Sequence, residues 1–518
     1  MAEPQPERAT LEESAGPQYS PATLPPRSGL RGAEKNPWSR KDIWLLIALL
    51  IFSGGLRLVR LAEPRAVVFD ETYYAKDACL YLGYDKTRCG LDQDTEQSYV
   101  HPPLGKWLIA IGIRVFGYDH FGWRASSAFA GTALVAVAYL LARKLFEDTW
   151  TAAVTGFLVS ADYLLIVQSR IAMLDIFLAL FVTLGFLFLA YDRERLKAIR
   201  DRLADNPDDE QVSVDLPTRE VEWRFLAGSC FGLALAVKWS AAWALMGAGL
   251  MASVWSLSVW RMLRRTGKAR SFALREMAAT AGALILLPLI IYTTSYTKYF
   301  TDSLGNKCPY AGPQLTELKG KTPRLDLGVP AGQCRTGVKG TTFAFVDLHE
   351  RMLTYHRTLT ADHTYKSKAW TWPLVKRPVA YHYEGEPKAV HILAFGNPIV
   401  WWASIGAALW LVIAAVSRRR WRPERVVAVG WSSQYLPWLL VQRPLFFFYM
   451  TPVVPFMMLG LAAGLRELRD LGRVPKILVN LYLAIGVGIL LIYFYPVIAA
   501  VGLSPNLWRS RMWFGSWI

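Results

Sequence analysis

Asp70 and Glu71 are adjacent carboxylates within Val68 Phe69 Asp70 Glu71 Thr72 Tyr73 Tyr74, about ten residues past an apolar run from Asp42 to Leu61. Two acids beside a membrane and bracketed by aromatics can divide the work of proton transfer. One takes the proton and the other orients a partner. Solvated loops also carry acid pairs, and these seven residues alone favour that plainer reading. The remaining chain reverses it.

Cations gather at the same membrane depth. Arg124, Arg170, Lys238 and Arg443 each stand at the outer end of an apolar segment. Snorkelling to headgroups accounts for any one of them. Four on the leaflet that carries the acid pair and Lys106 fit better with a site for an anionic headgroup, such as a lipid-linked phosphate. Asp175, about one turn from Arg170, is expected to neutralise one of these cations. His349, His356 and His363 recur at steps of seven, which places them on one helical face. Imidazoles so spaced stand about 10 Å apart along a helix and cannot share one metal. Tyr365, Trp370, Trp372, Tyr381 and Tyr383 suit either packing at the interface or stacking on a sugar. No P-loop or dinucleotide fingerprint is present, so coupling to a nucleotide is not indicated.

The elements that must position these residues are membrane helices. The 518 residues are 53% hydrophobic and include 21 Trp. Such a chain is a polytopic membrane protein, not a soluble domain. Its formal charge of +17 resides in short segments between apolar runs. Membrane orientation explains that pattern better than nucleic-acid binding. About eleven spans are expected, near 42–61, 121–142, 150–168, 171–191, 223–241, 243–260, 275–293, 391–416, 426–441, 444–465 and 477–500.

With residues 1–38 as a disordered cytosolic tail, the Arg- and Lys-rich segments 193–219, 261–275, 418–425 and 466–476 all fall inside. Two long segments, 62–120 and 294–390, then face outward, and 39–518 forms one multispanning domain. His101 Pro102 Pro103 Leu104 Gly105 Lys106 Trp107 opens an amphipathic stretch to Gly117 that is short for a span and lies along the outer interface. Cys79 and Cys89 occupy the first outer loop, Cys308 and Cys334 the second, and Cys230 a helix. Two outer pairs suit an oxidising compartment, giving expected disulfides Cys79–Cys89 and Cys308–Cys334 against the alternative of unrelated thiols.

These residues, taken in order, resemble the protein O-mannosyltransferases. The likeness rests on Phe69 Asp70 Glu71, the run from His101 to Lys106, Trp123 Arg124 with Ser126, and the run from Arg170 to Asp175. It continues through Val237 Lys238 Trp239 Ser240, the loop from Leu348 to Pro378, Gly396 Asn397 Pro398, and Arg443 to Tyr449. The resemblance implies an all-α GT-C type glycosyltransferase of the plasma membrane, using polyprenyl phosphate mannose to modify Ser or Thr of exported proteins outside the cytoplasm. Coupling to the secretion machinery is a further implication.

By carry-over, Asp70 is the general base and Glu71 places the acceptor. Arg124 and Lys238 hold the donor phosphate, with Lys106, Arg170 and Arg443 beside them; His101, His349, His356 and Asp175 contact the acceptor or support the site. In-line attack on a β-linked donor would invert to an α-mannoside. The donor's activated bond implies no cofactor, and a divalent metal stays an open question. The second outer loop is too short for the β-trefoil module of eukaryotic members, and His363 to Trp370 departs from the family's His-Pro-Tyr and double Trp. Both features point to a bacterial member.

Two rival readings fit the same charges. A relative moving aminoarabinose or arabinose to a lipid or polysaccharide would keep the acid and cations without the peptide-loop motifs of 348–378. A transporter would also carry intramembrane charges, but the long outer loops and the lack of matching halves argue against it.

Overall fold

The computed structural model describes residues 38–92, 98, 100–206, 218–304, 337–360, 362–417 and 422–518. The tail of residues 1–37 lies outside these, as do Cys308 and Cys334 and the disulfide expected between them.

Local capping sets the helix starts. Ser39 opens α1 (Arg40–Leu58) with a reciprocal capping box to Asp42. After α2 (Glu71–Tyr81) and α3 (Leu104–Phe116), Asp119, Asp148 and Asp162 each accept the amide three residues on. They thereby start α4 (His120–Phe146), α5 (Thr149–Ala161) and α6 (Tyr163–Arg170). The chain continues through α7 (Asp175–Asp205), α8 (Thr218–Val237), α9 (Ala241–Leu263) and α10 (Ala269–Ser295). Then come α11 (Thr297–Leu304), α12 (Gly337–Thr358) and a two-stranded antiparallel hairpin, β1 (Val379–Glu384) with β2 (Val390–Ala394). The helices α13 (Pro398–Ser417), α14 (Glu424–Tyr435), α15 (Val454–Arg469), α16 (Arg473–Ile498) and α17 (Pro505–Arg509) complete the order.

Among the described residues, six helices are long and apolar enough to span a bilayer: α4, α7, α9, α10, α13 and α16. The pair α5 and α6, bent by 56° at Asp162, makes a seventh if counted as one span. The other four anticipated spans are helical in whole or in part but short or charged. In α1 and α8 the charges are resolved internally: Asp42 pairs with Arg143 at 2.9 Å, and Arg224 with Asp192 and Glu276 at 2.8 Å. The anticipated span 426–441 passes into a 3₁₀ turn at Leu436–Leu440. The segment expected to be a helix from 391 begins instead as β2, because Asn397 and Pro398 break it and the helix starts only at Pro398.

Two arginines fasten the first helices together. Arg57 of α1 donates to the carbonyls of Val159 and Ser160 at the end of α5. Arg170, at the end of α6, donates to the carbonyls of Leu56, Arg57, Val59 and Arg60 at the end of α1. Each closes helix-terminal acceptors that lipid could not satisfy. Cys79 and Cys89 form the expected disulfide, joining α2 to the loop after it. Gly105 allows α3 to approach α7 and α8: a β-carbon there would meet Leu174 at 2.6 Å.

Candidate active site

Asp70 immediately precedes α2, and the residue before it is unusual. Phe69 adopts φ of +50°, the left-handed region, without being glycine. The ring of Phe69 stacks on Tyr381 of β1 at 4.3 Å and meets Phe448 edge-on, which holds the strained backbone in place. The Asp70 carbonyl accepts the amides of Tyr73 and Tyr74, so the backbone is committed to the helix start. Its carboxylate is engaged by the side-chain hydroxyl of Tyr74, one turn on. Burial pushes the Asp70 carboxyl up to about 6, reinforced by Asp175 and opposed by Lys238 and the Tyr74 hydrogen bond. A carboxylate so placed is matched to proton abstraction near neutrality. Burial, with Asp70 beside it, raises the Tyr74 hydroxyl well above its usual value, so Tyr74 stays a donor.

Next to this acid is a cavity of about 450 Å³. Its lining includes Lys238, Asp175, Arg443, Tyr449, His101 and His356. Lys238, in the turn after α8, donates to Asp175 at 2.7 Å, so Asp175 neutralises Lys238 and not Arg170. Arg443 hydrogen-bonds the Tyr449 hydroxyl and lies 5.7 Å from its ring centre. Among the described residues no carboxylate reaches Arg443 within ion-pair distance. Arg357, exposed on α12, adds a cation at the rim.

His356 donates from Nε2 to the Val100 carbonyl at 3.0 Å, and burial and Arg443 push its ring down to about 4. It is therefore neutral, with a buried Nδ1 that has no hydrogen-bond partner among the described residues. The His101 ring stands 5.5 Å from that of His356, and burial, with Lys238 nearby, holds it well below the usual imidazole range.

Four of the anticipated site residues belong to the scaffold. Glu71 is fully buried and accepts from Arg124 and from the amides of Val68 and Ala172. It cannot reach an acceptor. Arg124 is equally buried and uses all five of its N–H donors on Glu71 and the carbonyls of Leu61, Pro64 and Ala66, so none is left for a phosphate. Arg170 is committed to the end of α1. Lys106 is buried against Asp77 at 2.8 Å and the Ser98 carbonyl.

His349 lies behind the cavity wall: Trp239 donates to the Tyr292 hydroxyl at 2.9 Å, which in turn meets His349 Nε2 at 2.7 Å. His363 lies beyond the end of α12 and does not share its face. Sequence reasoning missed Tyr74, Arg357 and Tyr449. The step of four from Asp70 to Tyr74 was the one signal that could have found the first.

Residues 47–302 match the family described as dolichyl-phosphate-mannose-protein mannosyltransferase. Residues 342–517 match the C-terminal four-transmembrane region of protein O-mannosyltransferase. A polyprenol-phosphate-mannose--protein mannosyltransferase of Mycobacterium tuberculosis (strain CDC 1551 / Oshkosh) is 30% identical, covering 98% of this chain and 97% of its own. The chain belongs to the protein O-mannosyltransferase family. A second such relative, from Corynebacterium glutamicum, is 29% identical with 96% of each chain covered. This protein is thus an enzyme of the glycosyltransferase class. Its fold is of the GT-C type: the Saccharomyces cerevisiae Pmt1–Pmt2 complex bound to the sugar donor superposes with a TM-score of 0.71 at 16% identity over 93% of both chains.

Proposed function

We propose that this protein transfers mannose from a polyprenyl phosphate mannose donor to Ser or Thr hydroxyls of exported proteins, at the extracytoplasmic face of the plasma membrane. The observation that carries this reading is a half-buried Asp70, raised to about 6 and held by Tyr74, beside a cavity where Arg443 has no carboxylate partner among the described residues. Asp70 takes the proton of the acceptor hydroxyl as its oxygen attacks the anomeric carbon. The bond from that carbon to the phosphate oxygen breaks, and polyprenyl phosphate leaves with its negative charge held by Arg443 and Lys238. Attack opposite the leaving group inverts a β-linked donor to an α-mannoside.

Of the cations expected at the phosphate, Arg443 and Lys238 keep that role, joined by Arg357. His356 Nδ1 is a ready acceptor for a sugar hydroxyl, and His101 supports it. The orientation has independent support. The Cys79–Cys89 disulfide lies in the loop that carries Asp70, which suits an oxidising face, while the Arg- and Lys-rich connectors lie at the other helix ends. Residues 39–518 then act as one catalytic unit behind a cytosolic tail, with acceptors met during or after export, where coupling to the secretion machinery would deliver them.

The test is transfer of labelled mannose from polyprenyl phosphate mannose to a Ser/Thr-rich peptide in membranes, wild type against Asp70→Asn. Loss of transfer in an inserted variant supports the reading; equal transfer by both removes Asp70 as the base. Absence of transfer by wild type, with transfer of another sugar, removes mannose.

A further inference from the structure

Toward the opposite end of α9 from the cavity, a second concavity of about 520 Å³ lies between α9 and α10. Ser256, Leu257 and Trp260 share one face of α9, and Ala273, Met277 and Thr280 the facing side of α10. The polar groups at its floor are closed off. Ser256 donates to Glu276 at 2.8 Å, and Glu276 pairs with Arg224 at 2.8 Å and Arg195 at 2.6 Å. What the groove offers is hydrocarbon contact.

Its mouth is strongly cationic. Residues 261–275 contain six Arg or Lys and no Asp or Glu. Arg261, Arg264, Arg265 and Arg270 are exposed, and among the described residues none has a carboxylate within ion-pair distance. Arg264 lies 5.4 Å from the ring centre of Trp260, which lines the groove. The connector Arg264–Lys268 is short, so its charges stay at the end of the groove where α9 and α10 meet.

We propose that this groove is a binding site for an anionic diacyl phospholipid, one acyl chain lying between α9 and α10 and the phosphate held by Arg264 and Arg265. Charge complementarity selects the headgroup, because a basic cluster beside a helix gap recognises anionic lipid. The site is separate from the catalytic cavity and does not rest on the sugar or acceptor assigned there.

The experiment is native mass spectrometry of the detergent-purified protein, with phosphatidylglycerol or phosphatidylcholine of the same chains added back. Wild type should retain phosphatidylglycerol over phosphatidylcholine. Arg264→Gln with Arg265→Gln should lower that retention about tenfold. Ala273→Trp, which fills the slot and keeps the arginines, should lower it as well, and thermal unfolding of each variant checks that it is folded. Equal retention of both lipids, or retention unchanged in either folded variant, overturns the proposal. So does displacement of phosphatidylglycerol by equimolar polyprenyl phosphate, which would make the groove a site for the carrier lipid. If one variant fails to fold, the other decides.

Discussion

Arg124 and Glu71 form a two-point pair, Nε to Oε1 at 2.7 Å and a terminal guanidinium nitrogen to Oε2 at 2.9 Å, with neither side chain exposed to solvent. The acid next to Asp70 is therefore a structural fixture that ties the segment before α2 to α4. Removing one member of a buried pair strands the other, at a cost of about 3–5 kcal/mol. Glu71→Ala and Arg124→Ala should each lower the unfolding temperature sharply and lose activity through the fold. A thermal unfolding series in detergent checks this, and wild-type stability in either variant would contradict it.

Asp70→Asn should behave in the opposite way. The fold should persist while turnover drops about 10²–10⁴-fold, the usual worth of a positioned general base, with donor KM little changed. Steady-state kinetics in donor at saturating acceptor separates the two terms.

The raised Asp70 carboxyl has a signed consequence for pH. The base must be ionised, so transfer should fall as pH drops through about 6. Tyr74→Phe removes a hydrogen bond that favours the ionised form and should move this limb to higher pH. Because the folded-state pKa is raised, ionised Asp70 opposes folding at neutral pH, and stability on this account is lost as pH rises from about 4 to 6. Asp70→Asn should therefore be more heat-stable than wild type at pH 7, and the gain should vanish near pH 4.

Arg443 is the cation with no carboxylate partner among the described residues. Arg443→Ala should raise donor KM about 10–100-fold, the range expected for hydrogen bonds to a charged group, with the fold intact. His356→Ala should raise the same constant by less, since it removes one neutral acceptor. Donor titrations of both variants give the ranking directly.

Cys79→Ser should destabilise α2 and the loop after it by about 2–4 kcal/mol, and reducing agent should do the same to wild type but not to the variant. Unfolding with and without reductant reads this out.

The membrane character and the Cys79–Cys89 disulfide could be read along the chain because each is a local signal: an apolar run, a short cysteine spacing. The cations could not be sorted that way. Arg124, Arg170, Lys106, Lys238 and Arg443 look alike by depth. What divides them is a partner far away in sequence, such as Glu71, 53 residues from Arg124, or the carbonyls of α1 that take Arg170. The start of span 391–416, placed seven residues early, went astray for the opposite reason. Its apolar pattern is continuous, but an apolar run does not distinguish a buried strand from a helix until Asn397 and Pro398 are given their weight.

The reciprocal arginines bear on biogenesis. The carbonyls at the end of α1 are closed by Arg170, more than a hundred residues later in the chain. During synthesis α1 emerges with that end uncapped, and it gains its partner only once α6 has been made. The arrangement ties the two ends of the Asp70 loop together: the end of α1 is complete only when the segment that follows that loop has been made.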